Sequence, residues 1–353
     1  MNGSVERFDL PIAAPFGIAR GTTRTSASVV VELTHEGTTG VGAVTPSSYY
    51  DETAESVVAV LPDLLGIVES VGDPHAGQHV ERRLRAHAPD QPAARSAVSI
   101  ALADLSARTL GVPLYQQWGL DPDAVPPTTY TVGIDTPAEM ASKAEAAVEA
   151  GFSLLKVKLG TDDDRGRLDA VRDAAPDAEL RVDANAAWSA DEAVSAVDWL
   201  EDTGVTMLEQ PVAADDLDGL RTVTEATSIP VAADESCVAP SDVPRVADAC
   251  DIVNAKLVKC GGVRAAKRLL HAADAHGLET MLGCMVESNA AIAAAVHLAP
   301  LVDYVDLDGA LLLAADPYEG VALEGEVFDL RSVQAGTGAR RADGLESTTE
   351  TVN

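Results

Sequence analysis

Residues 154–159 read LLKVKL, 180–185 LRVDAN, 207–211 MLEQP, 230–236 PVAADES and 252–257 IVNAKL. Each string carries an apolar, largely β-branched run into a charged group: Lys158, Asp183, Glu209, Asp234 and Lys256. These five residues are separated by 25, 26, 25 and 22 positions. That is the length of one strand, one helix and two short loops in a (β/α) barrel. A barrel gathers its strand ends at one rim, so residues far apart in sequence would surround a single pocket holding three carboxylates with lysines on either side.

Working outward, strands are expected at TYTVGI (129–134), ETMLGCM (279–285) and YVDLDG (304–309), which brings the count to eight. Helix-length segments such as AEMASKAEAAVEAG (138–151) and GRLDAVRDAA (166–175) lie between them. Upstream, ASVVVEL (27–33), a turn at Glu36-Gly37 and TTGVGAV (38–44) read as an antiparallel hairpin. Helices follow at 53–71 and 93–110, the second ending at Gly111. Pro126-Pro127 breaks the pattern. The expected division is an α+β domain over 1–125, a barrel over 126–320 and a C-terminal segment over 321–353. Residues 321–333 are expected to return onto the first domain, and the polar stretch from Ala335 to be disordered.

The 353 residues, 46% of them hydrophobic, suffice for a barrel and a smaller domain. A net charge of -31, spread over helix surfaces without an acidic block, speaks against nucleic acid or an anionic membrane as partner. Such a surface repels itself unless salt screens it, which points to a halophilic protein of a high-salt cytoplasm. The chain has six lysines, Lys143, Lys156, Lys158, Lys256, Lys259 and Lys267, and four lie in two of the strand-end strings when the last is read on as NAKLVK (254–259). Lys259 and Lys267 read as ordinary surface residues. Cys237, Cys250, Cys260 and Cys284 show no CxxC spacing and suit a reducing interior. No export signal is visible, and the longest apolar run, from Ala290, is too short to span a membrane.

Asp183, Glu209 and Asp234 on one rim would repel one another unless a cation sat between them. Oxygen ligands without His or Cys favour a hard ion, Mg²⁺ with Mn²⁺ as substitute. Any one of the three alone reads equally well as a helix N-cap. Asn185 and Glu235 follow closely enough to support the ligands. Lys156 and Lys158 share a strand face. A lysine beside another ammonium and a divalent ion has its pKa drawn down toward a working base. Lys256 faces that strand across the barrel mouth and serves as the matching acid. Two carboxylates on one face of the eighth strand, Asp306 and Asp308, make a site for a cationic group, or else a rim salt bridge. None of the seven histidines falls at an expected barrel strand end, and Gly261-Gly262 reads as a tight turn lining the pocket.

Together these strings resemble the enolase superfamily in its muconate-lactonising branch, through Lys156-Val157-Lys158, the three carboxylates and Lys256. The resemblance implies an α/β fold, a modified (β/α) barrel of the TIM type under an N-terminal α+β capping domain, in which PFGIARGT (15–22) and residues 42–50 cover the substrate. It implies an isomerase with Mg²⁺, with Lys158 and Lys256 exchanging an α-hydrogen through a metal-stabilised enediolate. The Asp306-x-Asp308 pair is similar to that of the dipeptide epimerases, where it holds the substrate ammonium, with Lys156 beside the carboxylate. The alternatives in the branch are N-acylamino-acid racemase, o-succinylbenzoate synthase and muconate cycloisomerase. Two departures stand out: Gly42-Ala43-Val44 replaces the usual Gly-Glu-Ala, and either Arg20 or Arg24 could be the cap arginine that meets an acidic substrate side chain. The resemblance also implies a homo-oligomer.

Overall fold

The computed structural model describes residues 1–342. Strands β1 (Asn2–Ile18), β2 (Gly21–His35) and β3 (Thr38–Val44) form an antiparallel sheet in that order. The β2–β3 hairpin is the one expected. β1 has no clean alternation and is interrupted by a register shift between Pro11 and Phe16. Against this sheet pack α1 (Ala54–Val71) and α3 (Pro92–Leu110), with α2 (Gly77–His87) lying on these two helices and α4 (Leu114–Gln117) on α3. A Thr53/Ser56 capping box starts α1, and Gly72 and Gly111, both left-handed, end α1 and α3. Helix α3 lies directly on β3, because a Cβ at Gly40 or Gly42 would come within 2.4 Å of α3 backbone atoms. Small residues on both sides set that close approach.

The second unit alternates strand and helix: β4 (Tyr130–Val132), α5 (Pro137–Glu149), β5 (Leu154–Lys158), α6 (Asp164–Ala174), β6 (Glu179–Asp183), α7 (Ala190–Asp202), β7 (Val205–Glu209) and α8 (Leu217–Ala226). It continues through β8 (Val231–Ala233), α9 (Val243–Val246), β9 (Ile252–Lys256), α10 (Leu257–Cys260), α11 (Val263–Ala275), β10 (Glu279–Gly283), α12 (Asn289–Val296) and β11 (Tyr304–Asp306). The eight strands β4 to β11 pair in parallel and in chain order. Between β11 and β4 the barrel is nearly closed, by a single bridge from Thr128 to Val305. Buried Val, Leu and Ala residues of strands and helices form one large core around it.

The C-terminal segment departs from expectation at one point. Val321, Phe328, Leu330 and Val333 join the large core cluster, which also takes in Ile100 of α3, and Arg331 pairs with Asp123. The stretch from Ala335 that was expected to be disordered is ordered as far as Ala342, with Thr337 and Ala339 fully buried. Its polarity misleads because the polar groups are used: Asp104 on α3 accepts from Thr337 N at 2.6 Å and Oγ1 at 3.0 Å. The remainder of the expected tail, 343–353, lies outside the described residues.

Candidate active site

The strand register brings the chemistry into one layer. Lys158 pairs with Asp183, Asp183 with Glu209, and Gly283 with both Lys256 and Asp306. Asp234 stands one residue beyond β8. All of these side chains are buried at the carboxyl ends of the strands. Above them is a cavity of about 460 Å³ lined by Lys158, Asn185, Asp234, Glu235, Lys256, Asp306 and Asp308. The cap roofs it with two segments, 16–23 at the tip of the β1–β2 hairpin and 47–50 after β3. Ile134 N donates to Gly17 O at 2.7 Å and fastens the hairpin to the barrel.

Each carboxylate expected as a metal ligand is turned toward an ammonium. Lys158 Nζ is 2.5 Å from Asp183 Oδ2, and Lys256 Nζ is 2.7 Å from Asp234 Oδ2. Lys156 Nζ lies 2.7 Å from Glu209 Oε2, 2.7 Å from Asp306 Oδ2 and 3.3 Å from Asp183 Oδ2. For that reason, no three His, Cys, Asp or Glu side chains form a ready ligand cluster among the described residues. The donor set nevertheless fits a hard divalent ion. Three buried carboxylates sit on neighbouring strand ends, and Glu209 Oε2, although close to Lys156, receives no hydrogen bond. Glu209 Oε1 is held by Asn254 Nδ2 at 2.8 Å, and Asp183 Oδ1 accepts from Asn185 N at 2.8 Å.

Electrostatics follow the same pairing. Burial works to raise the Asp183 pKa, but Lys158 and Lys156 outweigh it and hold the group at about 2. Asp234 is likewise held low against burial by Lys256 and Lys259. Burial and the neighbouring Asp183 raise Glu209. Burial acts to lower Lys156 and Lys256, yet the facing carboxylates dominate and raise both. Asp306 is lowered despite burial by Lys156. Asp308 is pushed up to about 7 by burial and by Asp306.

The structure separates the two candidate arginines. Arg20 lines the cavity, with Nη1 donating to Asn185 O at 2.6 Å and Nη2 lying 2.9 Å from Glu235 Oε1. Arg24 is exposed and outside the cavity lining, because it lies on β2 beyond the hairpin tip. Asp306 and Asp308 both line the cavity, but Asp308 falls past the end of β11. Thr129 Oγ1 donates to Asp306 at 2.5 Å and Thr131 N to Asp308 at 2.6 Å.

Other expectations need correction. Lys259 is no surface residue: its Nζ donates to Asp234 Oδ1 at 2.5 Å and to Asp234 O at 2.6 Å, because the short α10 continues directly from the carboxyl end of β9 and packs against α3. Gly261 and Gly262 do not line the cavity. They face α3, where a Cβ on Gly262 would stand 2.2 Å from Ser99 Cβ. Residues 42–44 lie in β3 and pack against apolar neighbours, so only 47–50 of that segment reach the cavity. Sequence reasoning gave no role to Asn254 or to Gln210, whose Oε1 accepts from Asp234 N and Ser236 N. Both were visible as polar residues inside the strand-end strings. Gly283 was also missed; a Cβ there would press on Asn254 and Lys256.

Comparison with known proteins identifies the family. Residues 139–322 match the enolase C-terminal domain-like family, and residues 4–119 match the N-terminal domain of mandelate racemase and muconate lactonizing enzyme. An L-Ala-D/L-Glu epimerase from Bacteroides thetaiotaomicron is 38% identical over 315 residues, which cover 89% of this chain and 81% of that one. The dipeptide epimerase of Enterococcus faecalis, solved with Mg and L-Leu-L-Tyr, has a TM-score of 0.89 and 34% identity over 96% of this chain and 98% of its own. An N-succinyl Arg/Lys racemase from Bacillus cereus has a TM-score of 0.92 at 28% identity, covering 99% of each chain. With both domain models matched and this degree of identity over most of its length, the chain belongs to the mandelate racemase and muconate lactonizing branch of the enolase superfamily.

Proposed function

We propose that this isomerase is a dipeptide epimerase that inverts the α-carbon of the C-terminal residue by proton transfer between Lys158 and Lys256. The observation that carries the reading is one cavity lined by two lysines, on β5 and β9 in opposite parts of the barrel, and by a pair of aspartates at and just past the end of β11. Asp183, Glu209 and Asp234 would hold Mg²⁺, with Mn²⁺ as substitute; when bound, the ion neutralises the second negative charge the substrate carboxylate acquires as its α-proton leaves. Lys158 Nζ takes the proton from one face of the α-carbon, and Lys256 Nζ delivers one to the other face. Lys156, held charged by Asp306 and Glu209, keeps the floor of the site positive beside the substrate carboxylate. Asp306 and Asp308 accept the free ammonium at the other end of the dipeptide. That pair disfavours an N-succinyl substrate, whose acyl carboxylate would meet the like charge of Asp306 and bring no cation to either aspartate.

The proposed setting is a reducing, high-salt cytoplasm. All four cysteines are free thiols, and the net charge is -31. Among the described residues no helix is long and apolar enough to cross a membrane.

Proton NMR of a dipeptide panel in D₂O, at high salt with and without Mg²⁺, tests the reading. Wild type should lose the α-proton signal of the C-terminal residue and form the diastereomer only with metal. Lys158→Ala and Lys256→Ala should each lower epimerisation by about a thousandfold. Sustained turnover in either variant would sink the two-lysine scheme.

A further inference from the structure

The two ends of the cavity differ in what they offer. One end holds Asp306 and Asp308. At the other, the cap lays Tyr49 and Tyr50 near Asp234 and Glu235; burial first, and then these carboxylates, raise both phenols. The two rings meet edge to face with centroids 5.1 Å apart. Among the described residues that line the cavity, Arg20 is the one guanidinium, and it stands at this end.

Arg20 is already committed. One Nη donates to the Asn185 carbonyl, the other pairs with Glu235, and the guanidinium carbon lies 4.4 Å from the centroid of the Tyr49 ring. A carboxylate engages arginine through the same fork of N–H groups. To bind here it would displace both partners and strand Glu235, whose Oε2 is buried without a hydrogen bond as it stands. An incoming cation would meet Arg20 itself. What the wall has left for a ligand is aromatic surface, Ile18 and the hydroxyls of Thr22 and Ser48.

In the planar state between the two lysines, the α-carbon has three in-plane bonds. One leads to the carboxylate at the barrel floor, and one to the amide nitrogen on the side of Asp306 and Asp308. The third, to the side chain, leads away from both, toward the cap. We propose that the Tyr49–Tyr50 wall receives the side chain of the inverted residue and selects an uncharged, bulky one, aromatic or branched aliphatic. This rests on the dipeptide epimerase reading and deepens it.

The test compares kcat/KM for L-Ala-L-Phe, L-Ala-L-Leu, L-Ala-L-Glu and L-Ala-L-Lys in metal-loaded wild type. The first two should exceed the last two by about tenfold or more. Tyr49→Ala, at a partly exposed position, should reduce the preference for L-Ala-L-Phe over L-Ala-L-Ala by about fivefold, a ratio that a general loss of stability would not move. Preference for L-Ala-L-Glu or L-Ala-L-Lys, or equal rates on all four, overturns the inference and leaves the epimerase reading standing. No exchange on any dipeptide by folded protein overturns both together.

Discussion

Lys259 spends its ammonium on a single partner, donating to both the side chain and the backbone carbonyl of Asp234. A fully buried lysine is costly unless it is paired, so its role is to hold that carboxylate in place. Lys259→Met should therefore weaken Mg²⁺ binding by about 10 to 100-fold in calorimetric titration. If metal affinity is unchanged, Lys259 is a packing residue only. Its position in the sequence resembled any lysine at a helix start, and only the four-residue helix at the carboxyl end of β9 brings it onto Asp234. The residues ending β5, β6, β7 and β9 were legible for the opposite reason: a charge closing an apolar strand has one rim to go to. Arg20 and Arg24 could not be told apart from sequence, since the choice depends on where the hairpin bends.

At the scale of elements, the stretch 335–342, last of the described residues, is a strap fastened to the cap. Leu114 N donates to Gly336 O at 2.8 Å, and Gly336 N to Val112 O at 2.9 Å. Gly336 has a positive φ of 67°, and a Cβ there would lie 2.1 Å from Asp104 Oδ1. Gly336→Ala should cost about 2 to 4 kcal/mol of stability in guanidinium unfolding, from backbone strain together with loss of the Asp104 contacts. A change below about 0.5 kcal/mol would show that the strap is dispensable. Composition hid this element because polar residues read as solvated until their partners are known. β1 was hidden for a related reason: Pro11 and Pro15 punctuate it, and its pairing with β2 survives through a register shift that no local pattern announces.

The whole molecule carries 56 acidic against 25 basic side chains. At about 0.1 M salt, charges within about 10 Å still repel, whereas at about 1 M the range falls to about 3 Å. The melting temperature should therefore rise by about 10 °C or more between these concentrations of KCl, an expectation drawn from charge alone. A melting temperature that is flat or falling across that range would refute the high-salt reading. The nearly closed barrel has a different consequence. Its first and eighth strands meet at one backbone bridge, and Thr129–Asp306 and Thr131–Asp308 clasp the same seam. The aspartates proposed to greet one end of the substrate are thus also rivets of the scaffold, so drift in the chain's appetite has little freedom there. New tastes would have to be acquired at the hairpin tip and the tyrosine wall, where a changed side chain leaves the barrel shut.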